Sequence, residues 1–195
     1  MRRVERMRCI LSETTPTFSA IPRLETERLV LRGHRAADFA ESAAIWSDPG
    51  VVRYIGGNPS TAEEAWWRIL GHLGHWSVMG FGYWALVERK SGRLAGEVGF
   101  GSFKRDSDPP FEGLPEAGWV LAPWAQGAGF ATEALRAILS WGDANLAADR
   151  TICFIDSDHA ASIAVARKGG YQAAGMVTYK GDACILFQRK RPNPL

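Results

Sequence analysis

The apolar positions of this chain alternate, then recur at helical spacing, then alternate again, and each change of period marks a predicted element. Residues 28–32 alternate with a period of two and place Leu29 and Leu31 on one face of a short strand. Residues 36–46 carry Phe39, Ala43 and Trp46 at helical spacing and stop before Asp48, Pro49 and Gly50. A second helix begins at Ser60 and Thr61, whose hydroxyls precede Glu63 and Glu64 in a capping box. Trp66, Trp67, Ile69, Leu70 and Leu73 carry it to about residue 75.

Residues 83–87 and 94–103 then alternate on either side of a Ser91–Gly92 turn, as in an antiparallel hairpin. Residues 104–115 are polar and long for a connection, which predicts mobility or a binding role. A short strand at 117–121 runs into Pro123, and a helix over 129–146 gathers Phe130, Ala134, Leu135, Ile138 and Trp141 or Gly142 on one face. A continuous apolar strand at 151–155, a helix at 160–168 closed by Gly169 and Gly170, and strands at 172–178 and 183–188 complete the pattern. Seven strands and four helices make one mixed α/β domain over residues 21–195. Residues 1–20 read as a poorly packed extension, with Met7 an alternative start.

Composition narrows the function classes. Lys plus Arg exceed Asp plus Glu by 2, too little to favour a nucleic-acid or anionic-membrane partner. No apolar run reaches the roughly 18–20 residues of a membrane span. Cys9, Cys153 and Cys184 form no C-x-x-C pair, so neither a disulfide framework nor a zinc cluster is expected, and a reducing cytoplasmic setting fits. His72 and His75 share a helix face without an evident third ligand, so no metal site is expected. Arg189, Lys190 and Arg191 read as a solvated tail.

The chemistry concentrates in residues 119–133. A strand ends, a loop with Gly127 and Gly129 turns, and a helix begins at once. Backbone N–H groups in such a loop, with the positive end of the helix, make an anion site. A phosphate-binding P-loop is excluded because no Gly-Lys-Ser/Thr follows. A dinucleotide fingerprint fits poorly, with Thr132 in place of the third small residue and Asp156, its ribose-binding acid, later than the expected spacing of about 20 residues. A simple turn competes with the anion-site reading.

Gln126-Gly127-Ala128-Gly129-Phe130-Ala131 resembles the Q/R-x-x-G-x-G/A motif of the GNAT superfamily of acetyl-coenzyme A dependent N-acetyltransferases. The resemblance extends to residues 26–32, 95–100 and 116–121 as the first, third and fourth family strands. His159-Ala160-Ala161-Ser162 with Lys168-Gly169-Gly170-Tyr171 is similar to N-x-x-S…K-L-G-F. The branch most resembled contains the ribosomal-protein N-terminal acetyltransferases.

That resemblance implies a mostly antiparallel sheet splayed between its fourth and fifth strands. It implies that amides of Gln126, Gly127, Ala128, Gly129, Phe130 and Ala131 hold the coenzyme pyrophosphate, while the backbone of Trp119, Val120 and Leu121 pairs with pantetheine. The oxyanion is expected near the N–H of Val120 or Leu121. Glu116 is the first candidate for the base that deprotonates the acceptor amine and Glu97 the second, each with a solvated strand-end charge as its alternative. His159 stands where the family has Asn, and Asp158 is a possible cap beside it. The family's leaving-group tyrosine falls at Ala166, which leaves Ser162 as proton donor or water anchor, or as a helix-packing residue. Trp46, Trp66, Trp67 and Trp76 lie on helices flanking the acceptor groove, and most of them are expected in the core.

The implied activity is direct acetyl transfer from acetyl-coenzyme A to a protein N-terminal or small primary amine, in a monomer or homodimer. The rivals are a silent acyl-coenzyme A binding or sensing module and a dinucleotide-dependent oxidoreductase. Cys184 is an acyl carrier only if something activates it, and nothing near it in sequence does.

Overall fold

The computed structural model describes residues 20–110 and 113–192, so Met7, Cys9 and nearly all of the expected extension lie outside the described residues. The strands are β1 (Leu24–Glu25), β2 (Leu29–Arg32), β3 (Tyr83–Glu88), β4 (Leu94–Gly101), β5 (Ser107–Asp108), β6 (Glu116–Leu121), β7 (Arg150–Asp156), β8 (Gln172–Tyr179) and β9 (Asp182–Lys190). The helices are α1 (Phe39–Trp46), α2 (Pro49–Val52), α3 (Ala62–Met79), α4 (Phe130–Asn145) and α5 (Ala160–Lys168). One nine-stranded sheet runs β1-β2-β3-β4-β6-β7-β9-β8-β5, antiparallel everywhere except between β6 and β7.

The two strands beyond the predicted seven, β1 and β5, have two residues each and are too short to show a period. The additional helix, α2, follows the Asp48-Pro49-Gly50 stop signal directly. Asp48 Oδ1 accepts from the N–H of Gly50 (2.8 Å) and Val51 (3.1 Å), and Pro49 occupies the first turn, so the same residues that end α1 start α2. The predicted capping box of α3 forms: Thr61 Oγ1 accepts from Glu64 N (3.2 Å) and Glu64 Oε2 accepts from Thr61 N (2.7 Å). That helix runs one turn past the expected end, to Met79.

Alternation along β4 divides the sheet's two faces. Phe100 packs on Gly142 of α4, whereas Glu97 meets His72 of α3 from the other side. Trp76, Trp84 and Trp141 meet edge-to-face with ring centres 4.6–5.5 Å apart, which places three of the eight tryptophans where α3, the sheet and α4 converge. The basic run at 189–191 is a structural tie, not a free tail. Arg189 makes two 2.7 Å bonds to Asp143, and Arg191 donates to the carbonyls of Leu146 and Ala148, joining β9 to the end of α4. No helix among the described residues is long and apolar enough to cross a membrane.

Candidate active site

The sheet opens between β6 and β7. Their parallel pairing consists of a single register pair, Glu116 with Ile152, and a bond from Ile152 N to Pro115 O (3.0 Å). On its other edge β6 is fully paired with β4 from Glu116 to Leu121. Ala122 N donates to Ala95 O (2.9 Å), and hydrogen-bonded and non-bonded pairs alternate along an antiparallel ladder. Val120 and Gly118 therefore turn their amides and carbonyls toward β4, while Trp119 and Leu121 turn theirs into the gap. Of the three residues expected to face the coenzyme through main chain, Trp119 and Leu121 are so oriented. Val120 is not, so of the two N–H groups expected to meet an oxyanion only that of Leu121 faces the gap. Gln126 Nε2 occupies the Leu121 carbonyl (3.2 Å), which leaves the Leu121 N–H and both Trp119 groups at the opening.

The loop at 122–129 brings the α4 N-terminus to the mouth of this gap. Gly127 (φ 73°) and Gly129 (φ 83°) both adopt left-handed backbone. Gly129 is the N-cap residue, and with no side chain it leaves the first N–H groups of a 16-residue helix uncapped. Phe130 contributes by packing its ring in the core at 5% exposure. The loop is pinned from a distance. Arg28 Nη1 donates to Ala128 O (2.9 Å), Arg28 Nε to Glu133 Oε2 (2.7 Å), and Thr26 Oγ1 to Glu133 Oε1 (2.6 Å). Sequence reasoning missed Arg28 and Glu133 because they are 105 residues apart.

Two buried carboxylates occupy the α3 face of the sheet. Glu116 accepts two bonds from Arg105, Nε at 2.7 Å and Nη2 at 2.8 Å, and Arg105 also donates to Tyr179 Oη (3.0 Å). Burial pushes the Glu116 carboxyl above its ordinary range, and the guanidinium pulls back against that. A cavity of about 20 Å³, roughly the space one water needs, lies beside it between residues 101–105 and 113–116. Glu97 lies 3.1 Å from His72 Nε2 and 3.4 Å from His34 Nε2. Burial alone would raise its carboxyl, but the two imidazoles hold it well below the usual range. Neither carboxylate is the solvated strand-end charge that competed with a catalytic reading.

Tyr83 lies between the two. Its ring stacks on His72 and its hydroxyl occupies the space a side chain at Gly118 would fill. Burial, then the Glu116 and Glu97 charges, push its pKa up and keep the hydroxyl neutral. His75, expected to share His72's surroundings, is held elsewhere: Nδ1 meets Phe81 O (2.7 Å) and Nε2 accepts from Ser102 N (2.9 Å). That pairing requires the neutral ring, in keeping with the lowering of its pKa by burial.

At the far side of the gap His159 heads α5 and bonds Ser162 Oγ through Nε2 (3.0 Å). The expected Asp158 cap is not made; the Asp158 N–H instead donates to Asp156 Oδ1 (2.8 Å). Tyr54, absent from the sequence reading, stacks on His159 with ring centres 4.3 Å apart. Burial lowers the His159 pKa, Asp156 opposing. Burial likewise raises the Cys153 and Cys184 thiols, so neither is primed as a thiolate nucleophile.

A family model described as an acetyltransferase (GNAT) domain matches residues 28–172. The chain belongs to the GNAT acetyltransferase family. It is 24% identical over 155 residues to the uncharacterized N-acetyltransferase p20 of Bacillus licheniformis, covering 79% of this chain and 84% of that one. A Bordetella pertussis protein assigned to the same family superposes with a TM-score of 0.75 at 30% identity, over 86% of this chain and 99% of the other. The fold is also that of RimL, a ribosomal L7/L12 alpha-N-protein acetyltransferase solved with coenzyme A (TM-score 0.67, 16% identity, 87% of this chain and 98% of that one). As a GNAT acetyltransferase this protein uses acetyl-coenzyme A as its cosubstrate. The opened β6 edge and the uncapped α4 N-terminus suit an amide-bearing, phosphate-bearing ligand.

Proposed function

We propose that the protein transfers an acetyl group from acetyl-coenzyme A directly to a primary amine, a protein N-terminal α-amine or a small amine, within a ternary complex. The observation that carries this is the parting of β6 from β7 after one register pair, with the uncapped N-terminus of α4 at the opening.

The cosubstrate supplies an activated thioester. Amides of residues 126–131 hold its pyrophosphate, and the free groups of Trp119 and Leu121 pair with its pantetheine amides. The free N–H groups of Trp119 and Leu121 are the donors available to the developing oxyanion, and Trp119 is the nearer of the two to Glu116 along the strand. Glu116 accepts the amine proton through a water in the adjoining cavity. Its raised pKa makes it a better proton acceptor than Glu97, whose carboxyl is held down by two imidazoles. An α-amine, with a reference pKa near 8, demands less of that base than a lysine near 10.4. Ser162, bonded to His159, donates toward the leaving thiolate. The raised cysteine thiols favour direct attack over an acyl-cysteine.

RimL is described as an alpha-N-protein acetyltransferase, and another protein of this fold, from Vibrio cholerae, is a spermidine N-acetyltransferase solved with coenzyme A and spermine. Peptide N-termini and small amines are therefore the two arms of the test. Free-thiol release from acetyl-coenzyme A is measured across a panel of both, with thermal stabilisation by acetyl-coenzyme A read in parallel. Amine-dependent thiol release is expected. Stabilisation with no release on any amine would instead make this a silent binding module, and stabilisation by a nicotinamide cofactor alone would make it an oxidoreductase.

A further inference from the structure

His34 follows β2, His72 lies near the middle of α3 and Glu97 projects from β4, so three separate elements bring these side chains together. Their candidate ligand atoms lie within 4.8 Å of one another, and the residues are 5%, 9% and 4% exposed. His72 Nε2 is bonded to Glu97 Oε1. The His34 Nε2 lies 3.4 Å from Glu97 Oε2 without hydrogen-bond alignment, and neither ring nitrogen of His34 has a hydrogen-bond partner among the described residues. A buried imidazole with both nitrogens unsatisfied is costly, and an ion between it and its neighbours would satisfy the nitrogen that faces Glu97.

We propose that His34, His72 and Glu97 form a binding site for one divalent transition-metal ion, with Zn²⁺ the best fit. Two imidazoles and one carboxylate are the donor set of three-residue zinc sites that keep a fourth position for water or another small ligand. Ligand bonds of about 2.0–2.2 Å require the donors to close by a shift on the order of 1 Å, within the reach of side-chain torsions. Arg68 is the opposing feature. Its guanidinium stacks on Trp46 with 3.5 Å to the ring centre and feels the Glu97 charge, so it competes with the ion. The bound ion ties the connection after β2 to α3 and β4. The proposed base, Glu116, is held by Arg105 and is not one of the three ligands.

The test uses the full chain, stripped with a chelator and then titrated with Zn²⁺, with metal content read by mass spectrometry after desalting. One Zn²⁺ per chain and an upward shift in Tm are expected. Uptake should fall at least tenfold in affinity in His34→Gln and in His72→Gln, which keep polar volume, and stay unchanged in His159→Ala. Arg68→Gln should tighten it. On the unmutated chain Co²⁺ gives a second readout: its visible absorption should rise to one equivalent, with paramagnetically shifted NMR signals from two imidazoles. Substoichiometric metal, or stoichiometric uptake that survives both histidine substitutions, overturns the site. A Co²⁺ spectrum with no imidazole signals also overturns it, whatever the folding of the variants.

Discussion

Gly129→Val tests the anion-binding assignment of the loop before α4. At φ 83° a non-glycine residue costs about 1–2 kcal/mol, and a β-branched one lies at the upper end of that range. A Cβ there meets Arg28 Nη2 at 3.4 Å, the tip of a flexible side chain, so the protein itself loses little more than this backbone term. For a chain of this size about 1 kcal/mol moves Tm by roughly 2–4 °C, so the unliganded variant should melt about 2–8 °C lower. Gly92→Val supplies the control, since Gly92 has φ 71° and open space around it but sits in the β3–β4 turn. The two variants should lose similar stability and differ only in their response to acetyl-coenzyme A. At 100 times its dissociation constant the ligand stabilises the unmutated chain by about 2.7 kcal/mol, or roughly 5–11 °C. In Gly129→Val the added branches stand where phosphate must reach the amides. A 100-fold loss of affinity leaves only about 0.4 kcal/mol at the same ligand concentration. Differential scanning fluorimetry with and without acetyl-coenzyme A reads both arms. A full ligand shift in Gly129→Val would refute the assignment, and a shift lost equally in Gly92→Val would trace the effect to stability.

Glu116→Gln should lower turnover at neutral pH while leaving the acetyl-coenzyme A dissociation constant within about twofold; Arg105 is the charged group bonded to this carboxyl, and an unchanged pH–rate profile would remove it as the base. Glu133→Gln strips the charge that holds Arg28 and Thr26 to α4, and should cost about 1–3 kcal/mol in denaturant unfolding as well as weakening coenzyme binding. Asp38 is raised by burial but lowered further by two 2.7 Å bonds from Arg32 and by the Arg35 N–H, for a net lowering. Its stabilising contribution is thus present above the unfolded-state pKa and lost as pH falls through the lower folded-state value, so Asp38→Asn should flatten the acid limb of Tm against pH. Ser162→Ala should reduce kcat with little change in KM for the amine, and an unchanged kcat would leave the hydroxyl a packing role only.

Much of the architecture was legible because it is local. Leu29 and Leu31 alternate inward at 0% exposure as their period requires, and the Thr61–Glu64 cap is written within four residues. The misreadings have two causes. Asp48-Pro49-Gly50 carries signals that end one helix and start another, and the residues alone do not say that both happen. The run at 189–191 looks like a solvated tail until Asp143 is placed beside it, 46 residues earlier in the chain. The same limit governs the site. The glycine loop was readable because strand, turn and helix follow one another directly. The contacts that hold it to Arg28, the pairing of Glu116 with Arg105 and the meeting of His34 with Glu97 depend on which strands become neighbours.

One strand shows how the two kinds of information join. The period of two along β6 sends the side chains of Glu116 and Val120 to the α3 face, with Gly118 between them leaving room for the Tyr83 hydroxyl. The same alternation, read in the plane of the sheet, gives the main chain of these residues to β4 and that of Trp119 and Leu121 to the open edge. The strand parts from β7 immediately beyond Glu116, so the last paired residue carries the carboxylate and the first unpaired stretch carries the free amides. That adjacency puts the proposed proton acceptor at the paired end of the opening through pairing geometry, with no additional element needed to bring it there.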